Sequence, residues 1–365
     1  MLAETEKKKP FTAAPKAPDV QVLVLHASAA KGGGIVTATI FYAAALIKAG
    51  HPAEIWTPSK ALAERAQELG VPVFYHRAFL NSLGPIFHPA IAYKAFKAKK
   101  RLKAVIHPGD KHWLFGQIWL NGVPESVVFH NEKINKRRLF KHWLAISARH
   151  RQDLEAFAAE NRLRPQISLI RNGPLPDAAS LLKPRPAKPI KTIGSLSDFG
   201  GHKGIDILIR AFAIVSQQHP DLRLVLGGDG LELQRCQELA LNLGVNGRID
   251  WLGWVKDTGS FFERIDLFCL PSRMEPFGIV ITEAMKAGLP VIATDTMGPR
   301  DVVVPGKTGW IVPAGDAAAI AHALSEAVVD PNRTAAYGAA GFERYREFYS
   351  LEAAGRVLSQ VLGLA

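Results

Sequence analysis

Short apolar runs alternate with stretches of helical periodicity along most of the chain. Residues 20–25 form a β-branched apolar run suited to a buried strand, glycines follow at 32–34, and residues 35–49 show a helix-period pattern that ends at Gly50. Helical patterns lie between most of the later apolar runs, which predicts an alternating α/β domain. The further predicted strands are 53–56, 71–75, 104–107, 126–129, 142–146 and 166–170.

This alternation stops once and then restarts. Residues 172–189 hold five prolines in a short polar stretch, the best linker candidate in the chain. Beyond it we predict strands at 191–193, 223–227, 249–252, 267–270 and 291–293, helices at 205–219, 231–243, 258–264 and 280–287, and a helical pattern over 335–364.

The expected fold is therefore α/β, with two doubly wound Rossmann-like domains that face a cleft. Ligands of such sheets bind outside the carboxyl ends of the strands. The predicted segments are a disordered basic arm at 1–19, a first domain at 20–175, a linker at 176–190, a second domain at 191–345 and a last helix at 346–365, a candidate to pack back on the first domain.

Composition and charge narrow the class of protein. The two cysteines are too few for a disulfide framework or a usual zinc site, and no apolar stretch reaches membrane-spanning length, so we expect a cytoplasmic protein. Residues 1–175 carry 26 Lys or Arg against 12 Asp or Glu, whereas residues 176–365 carry 19 against 21. Such a split does not suit a uniformly basic nucleic-acid binder. It indicates a first domain that meets an anionic surface or acceptor.

The most specific motif is PSRMEPFGIVITEAMKAGLP at residues 271–290. A strand ends before it, a glycine-containing loop follows, and a helix begins near Gly278. Amides at a helix start favour anions. Glu275 and Glu283 are eight positions apart, and each carboxylate can accept two hydrogen bonds from the adjacent hydroxyls of a ribose or hexose.

This motif resembles that of the retaining glycosyltransferases of family 4, which have the GT-B fold and include lipopolysaccharide-core and cell-envelope enzymes. The resemblance extends to GGIVTATIFYAAALIKAGHPA from Gly33, KGIDILIRAF from Lys203, LRLVLGGDG from Leu222 and RIDWLGWV from Arg248, in the same order and spacing. It implies a hexosyltransferase that uses a nucleotide-diphosphate sugar.

The resemblance also implies roles for individual residues. Glu283 would hold the donor ribose, Glu275 the transferred sugar, and Lys203 the diphosphate leaving group, whose charge grows as the glycosidic bond breaks. His130, at a strand end, would contact the donor sugar or the acceptor; a histidine bonded only to local backbone is the alternative. The remaining predicted donor-binding residues are Gly33, Gly34, Trp254, Val255, Phe277, Gly278, Ile279 and Val280.

One position departs from the family pattern. An arginine usually follows the glycine before the KG loop, but here the sequence is Gly194-Ser195. Arg273 and His202 are candidates to supply the missing cation. There is no D-x-D motif and no HExxH motif, so we expect no metal and no cofactor, with Lys203 and helix amides acting on the diphosphate instead.

Two further features concern the acceptor side. His107 ends a predicted strand, with a functional and a purely local role equally open. Residues 93–103 interleave Tyr93, Phe96 and Leu102 with lysines and an arginine. That pattern suits the inner face of an anionic membrane, and equally a solvated helix face.

Three functions remain open at this point. The first is transfer of a hexose to a glycan or lipid-linked acceptor, such as lipopolysaccharide core. The second is nucleotide-sugar epimerisation on the same architecture, and the third is non-catalytic binding of a sugar nucleotide. The sequence leaves the donor base open, since UDP, GDP and ADP are all compatible.

Overall fold

The chain divides into two units, each built on one parallel sheet. The computed structural model describes residues 20–26, 33–80, 84–108, 113–130, 139–177 and 184–364. The predicted arm at 1–19 lies outside these residues. The first unit comprises 1–146, 150–176 and 351–365, and the second comprises 147–149 and 177–350.

Seven strands form the sheet of the first unit. They are β1 (Val22–Leu25), β2 (Ala53–Thr57), β3 (Val73–Tyr75), β4 (Ala104–His107), β5 (Glu125–Phe129), β6 (His142–Ala145) and β7 (Gln166–Leu169). Their order is β3-β2-β1-β4-β5-β6-β7, and every pairing is parallel. The helices are α1 (Gly34–Lys48), α2 (Lys60–Glu68), α3 (Gly84–Phe87), α4 (Pro89–Lys99), α5 (Trp113–Trp119), α6 (Ala148–Glu160), which begins in the second unit, and, from the end of the chain, α14 (Leu351–Val361).

Six strands form the sheet of the second unit. They are β8 (Thr192–Leu196), β9 (Arg223–Gly227), β10 (Ile249–Gly253), β11 (Leu267–Leu270), β12 (Val291–Thr294) and β13 (Gly309–Val312), in the order β10-β9-β8-β11-β12-β13. The helices are α7 (Ile205–Gln218), α8 (Leu233–Asn242), α9 (Thr258–Glu263), α10 (Ile279–Lys286), α11 (Met297–Val302), α12 (Ala317–Val329) and α13 (Pro331–Phe348). In both sheets the strand order reverses beside the first strand, and this reversal opens a crevice at the carboxyl edge.

Burial explains why these segments are strands. Every residue of β1, β11 and β12 is buried, as expected for parallel strands covered by helices on both faces. In the second unit, one face of the sheet packs with α7, α8 and α12 in a continuous core that includes Ile193, Phe212 and Leu324. The sheets are therefore rigid supports for the loops at their carboxyl edges.

The predicted α/β alternation is confirmed, with most boundaries within two residues. Three elements of the second unit were not predicted: α11, α12 and β13. The helical pattern over 335–364 corresponds to two helices, because the helix is interrupted at Tyr349 and Ser350, between α13 and α14. The strand predicted at 191–193 continues to Leu196, which places Ser195 inside the sheet.

The end of the proline-rich stretch is anchored by side-chain hydrogen bonds. Its last part lies on the second unit, because Arg185 donates three hydrogen bonds to the backbone oxygens of Ala287, Ile265 and Phe262, at 2.9, 2.8 and 2.7 Å. Residues 178–183 lie outside the described residues.

The last helix returns to the first unit. Helix α14 packs along α1, and the approach is close at Gly355, where a Cβ would lie 2.5 Å from the backbone oxygen of Ala45. Glycine is required at this position for steric reasons. The predicted boundary at 346 falls inside α13, and the segment that joins the first unit begins at Leu351.

Candidate functional site

Two loops meet at the carboxyl edge of the second sheet, where the strand order reverses between β8 and β11. The loop after β8 turns through a 3-10 turn at Gly201–Lys203 and reaches Gly204, whose φ is 68°. A Cβ on Gly204 would lie 2.2 Å from the backbone oxygen of Pro271, in the loop after β11. Each residue of the KG dipeptide therefore has its own role: Gly204 allows the close contact with Pro271, and Lys203 lies at the crevice.

The two loops present an ion pair. Lys203 Nζ lies 2.8 Å from Glu275 Oε2, and both side chains are mostly buried. Glu275 Oε1 also accepts a hydrogen bond from the backbone N–H of Gly278, at 3.1 Å. A charge-assisted pair on two tightly joined loops has a fixed geometry, which suits recognition of a polar ligand.

Helix α10 begins beside this pair. Its N-cap residue is Gly278, in the left-handed region with a φ of 84°, and Phe277 before it is buried. Gly298 packs directly against the backbone of this turn, since a Cβ on Gly298 would lie 2.2 Å from the Cα atom of Phe277. Ile279 and Val280 open the helix, whose N-terminal end favours negative charge.

Glu283 lies in the second turn of α10, about 6 Å along the helix axis from Ile279. Burial raises the pKa of its carboxyl group to about 7, Lys286 opposes the increase and Asp177 adds to it. The side chain is half-buried, and no described residue forms a hydrogen bond with its carboxylate. The structure thus places the two glutamates of the motif in different surroundings: Glu275 is held by partners, whereas Glu283 is open to a hydrogen-bond donor.

Arg273 has a different partner from the one expected of a second diphosphate cation. Its guanidinium makes two hydrogen bonds to the carboxylate of Asp206, at 2.8 and 2.7 Å, and one to the backbone oxygen of Gly201, at 2.8 Å. Its backbone N–H donates to the oxygen of His202, at 2.8 Å. Arg273 therefore ties the loop after β11 to the loop that carries Lys203, while His202 is exposed in that loop.

Ser195 is fully buried, and its hydroxyl has no hydrogen-bond partner among the described residues. Gly194 beside it is required by packing, since a Cβ there would lie 2.5 Å from a side-chain carbon of Ile265. Within the part of the chain that the structure describes, no group of three metal-ligating side chains lies together.

Trp254 follows β10 and is 68% exposed. The turns after β9 and β10 are joined where the N–H of Gly228 donates to the oxygen of Gly253, at 2.7 Å. Val255 packs so closely on Gly227 that a Cβ there would lie 2.8 Å from its methyl group. The two turns are therefore packed together, with the exposed indole of Trp254 beside them.

The other predicted residues belong to the first unit. Gly33 caps α1 with a φ of 99°, and a Cβ there would meet nothing within 4 Å, so its backbone conformation alone calls for glycine. Gly34 is the first residue of α1 and is exposed. His130 directly follows β5, is 7% exposed and stacks on Tyr42 with ring centroids 6.5 Å apart.

His107 is buried at the end of β4 in a pair that the sequence did not reveal. Its Nε2 lies 2.7 Å from Glu125 Oε2, and Gln117 donates to the other carboxylate oxygen, at 2.9 Å. Helix α5 reaches this pair at Gly116, where a Cβ would lie 2.1 Å from the Glu125 carboxylate. This packing favours a structural role for His107.

One segment of the chain matches a known protein family. Residues 183–344 match the family model described as glycosyl transferases group 1. This segment is thus similar to the glycosyl transferases of group 1. It contains Lys203, Glu275 and Glu283, so the candidate site lies in the part of the chain that carries the family match.

Curated relatives match over about half of the chain. The lipopolysaccharide core biosynthesis glycosyltransferase LpsE of Rhizobium meliloti is 34% identical over 186 residues, which are 51% of this chain and 53% of that protein. The GDP-mannose-dependent alpha-(1-6)-phosphatidylinositol monomannoside mannosyltransferase of Mycolicibacterium smegmatis is 33% identical over 196 residues, 50% of this chain and 51% of that protein. The chain thus spans about half the length of the curated relatives it matches.

Solved structures extend the likeness to the whole fold. HepE of Anabaena in complex with UDP superposes with a TM-score of 0.77 at 21% identity, covering 95% of this chain and 100% of that one. TarM of S. aureus, in a complex that includes UDP, gives a TM-score of 0.72 at 13% identity, with 94% and 99% covered. The fold is GT-B, as predicted.

Proposed function

We propose that this protein is a retaining glycosyltransferase that moves a hexose from a nucleotide-diphosphate sugar to a glycan or lipid-linked acceptor of the cell envelope. The observation that carries the proposal is the Lys203–Glu275 pair at the strand-order reversal, directly before the start of α10. A cation and a helix N-terminus in this crevice suit the diphosphate leaving group, and a carboxylate suits the sugar hydroxyls.

In the proposed reaction, the bond between the sugar's anomeric carbon and the diphosphate oxygen breaks, and the nucleoside diphosphate leaves with that electron pair. The acceptor hydroxyl attacks the anomeric carbon from the same face, and its proton passes to the leaving phosphate oxygen. Configuration at the anomeric carbon is retained. Lys203 and the amides at the start of α10 stabilise the charge that grows on the leaving group, without a metal or cofactor.

The remaining side chains bind and orient the substrates. Glu275 accepts hydroxyl hydrogen bonds from the transferred sugar, Glu283 accepts those of the ribose, and backbone groups around Trp254 and Val255 hold the base. His130 and the glycine turn at Gly33 act from the first unit, which takes the acceptor.

The likenesses leave the donor base open. The HepE structures were solved with UDP and with UDP-glucose, whereas the mycobacterial relative is named for GDP-mannose. A thermal-shift screen of UDP, GDP and ADP sugars is expected to show one selective stabiliser, since a ligand that binds only the folded state raises the melting temperature.

A nucleotide-release assay tests the proposed reaction. We expect release of the nucleoside diphosphate from the selected sugar nucleotide to depend on added acceptor, with truncated lipopolysaccharide core as the first acceptor class. Release or sugar conversion without any acceptor would support the epimerase instead. Stabilisation by a sugar nucleotide with no turnover on any acceptor would support a binding protein.

A further inference from the structure

An open groove of about 600 Å³ lies on the first unit, away from the edge where ligands of this fold bind. One wall is the second half of α4 and the two residues that follow it, from Tyr93 to Arg101, and the other includes Val20 and Glu54. Val20 precedes β1, and Glu54 is the second residue of β2, so the groove lies at the amino edge of the sheet. His130 marks the opposite edge, about one strand length of 13–17 Å away.

The wall formed by α4 is strongly basic. Residues 89–103 contain six Lys or Arg and no Asp or Glu, and no acidic residue occurs anywhere between Glu68 and Asp110. The acidic side chain in the groove lining, Glu54, has both oxygens engaged: Trp56 Nε1 donates at 2.7 Å, and Lys94 Nζ lies at 2.8 Å. The charge of Glu54 is thus offset by Lys94, and Lys97, Lys100 and Arg101 leave the groove positive.

The exposed face of α4 also carries aromatic rings. Ile91 and Ala95 face the core and are fully buried, whereas Tyr93 and Phe96 are 60% and 61% exposed. Lys97 Nζ lies 4.5 Å from the centroid of the Tyr93 ring. Phe87, the last residue of α3 and two residues before α4, is 78% exposed and adds a third ring. Large exposed rings alternating with cations on one helix are typical of a surface that enters the headgroup region of a membrane.

We infer that this groove and the outer face of α4 form a docking site for an anionic phospholipid surface, separate from the donor site. The rings enter the boundary between headgroups and acyl chains, and Lys97, Lys100 and Arg101 meet lipid phosphates. Charge complementarity selects this occupant over a neutral protein surface, because acidic side chains are absent from the segment. The site holds the enzyme at the membrane by an edge that leaves the carboxyl edge of the first sheet free for acceptor.

Vesicle co-sedimentation without any sugar nucleotide tests the inference apart from the proposed function. The full chain is expected to bind vesicles of phosphatidylcholine mixed with phosphatidylglycerol and to stay in solution with phosphatidylcholine alone. The variant Lys97→Gln/Lys100→Gln should bind the anionic vesicles about 25-fold more weakly, since each surface cation is worth about fivefold in binding. The matched control is Lys191→Gln/Lys307→Gln, which removes two exposed lysines from the second unit and should bind as the parent does.

A second variant separates the rings from the charges. Phe96→Ser is expected to lower the binding that persists at high salt, where ion pairing with lipid is screened. Equal binding to neutral and anionic vesicles would overturn the inference. So would equal losses in the two lysine variants, which would show a general charge effect. Binding of inorganic phosphate in the groove, without any binding of vesicles, would also overturn the inference. It would show a small-anion site in place of a membrane surface.

Discussion

Lys203 Nζ lies 2.8 Å from Glu275 Oε2, so the cation proposed for the diphosphate already holds the carboxylate proposed for the sugar. The pair joins the loop after β8 to the loop after β11. A donor that binds here meets a preformed arrangement, in which Lys203 fixes Glu275 and the incoming phosphate shares the ammonium. Positioning of this kind lowers the cost of ordering the site during the reaction.

Removal of this cation should affect turnover more than donor binding. Lys203→Ala is expected to reduce kcat by about 10²–10³, because leaving-group charge is largest in the transition state. Steady-state kinetics with saturating donor measure the effect. Lys191→Ala, which removes an exposed lysine of the same unit, is the control and should leave kcat unchanged. A kcat for Lys203→Ala within twofold of the parent would remove Lys203 from the mechanism.

Donor affinity should depend on pH through Glu283. Its pKa is raised to about 7, so the carboxylate that accepts ribose hydrogen bonds becomes protonated as the pH falls below 7. We expect the affinity for the sugar nucleotide to fall about thirtyfold between pH 8.5 and pH 5.5, as measured by calorimetry. Glu283→Gln should bind weakly at every pH and show a much flatter profile. The same steep profile in the variant would assign the titration to another group.

The same group has a predicted effect on folding. Because its folded-state pKa lies above the unfolded value of 4.5, the folded protein binds the proton more tightly. This contribution to stability is present below pH 4.5 and is lost as the pH rises towards 7. Thermal unfolding of Glu283→Gln compared with the parent should therefore show a relative gain for the variant near pH 8 that shrinks at pH 5.

Arg273 is expected to act through Asp206. If the guanidinium mainly ties the two loops together, Arg273→Ala and Asp206→Asn should raise the donor KM by similar factors, and the double variant should be no worse than either single one. A double-mutant cycle on the donor KM measures this coupling. An additive double variant, with the larger loss from Arg273→Ala, would instead support direct contact with the diphosphate.

Arg185 should contribute to the stability of the second unit. Its substitution by alanine leaves three backbone oxygens without their charged donor, and we expect a loss of about 2–4 kcal/mol in the free energy of unfolding. Denaturant unfolding provides the measurement. Lys188→Ala, which removes an exposed partner of Asp266 three residues away, should cost less than about 1 kcal/mol. Equal losses would contradict the anchoring role.

The fold was predictable because both sheets are built from short apolar strands separated by helical patterns. Strand β13 was missed because Gly306 precedes it and Gly309 begins it, and both are turn signals. Gly309 is nevertheless needed in the strand, since a Cβ there would lie 2.1 Å from the oxygen of Val291. Helix α12 was missed as a separate element, although its fully buried Ile320 and Leu324 recur at helical spacing. Spacing alone does not distinguish such a helix from the loops around it.

The candidate site was predictable as a set of motifs but not as a network. The KG and E-x7-E motifs placed Lys203 and Glu275 on loops of one sheet edge and Glu283 in the helix that follows. The partners of two other predicted residues come from distant parts of the chain. Arg273 bonds to Asp206, and His107 bonds to Glu125. Ser195 is buried in β8, and its burial depends on the packing of the sheet rather than on local sequence.

The return of α14 to α1 has a consequence for synthesis. The chain emerges from the ribosome amino end first, so the second unit is complete before the helix that covers α1 has been made. Until then, α1 lacks the helix that packs against Ala45 in the complete fold. Any truncation before Leu351 would leave this side of α1 uncovered, and exposed apolar surface of this kind promotes aggregation.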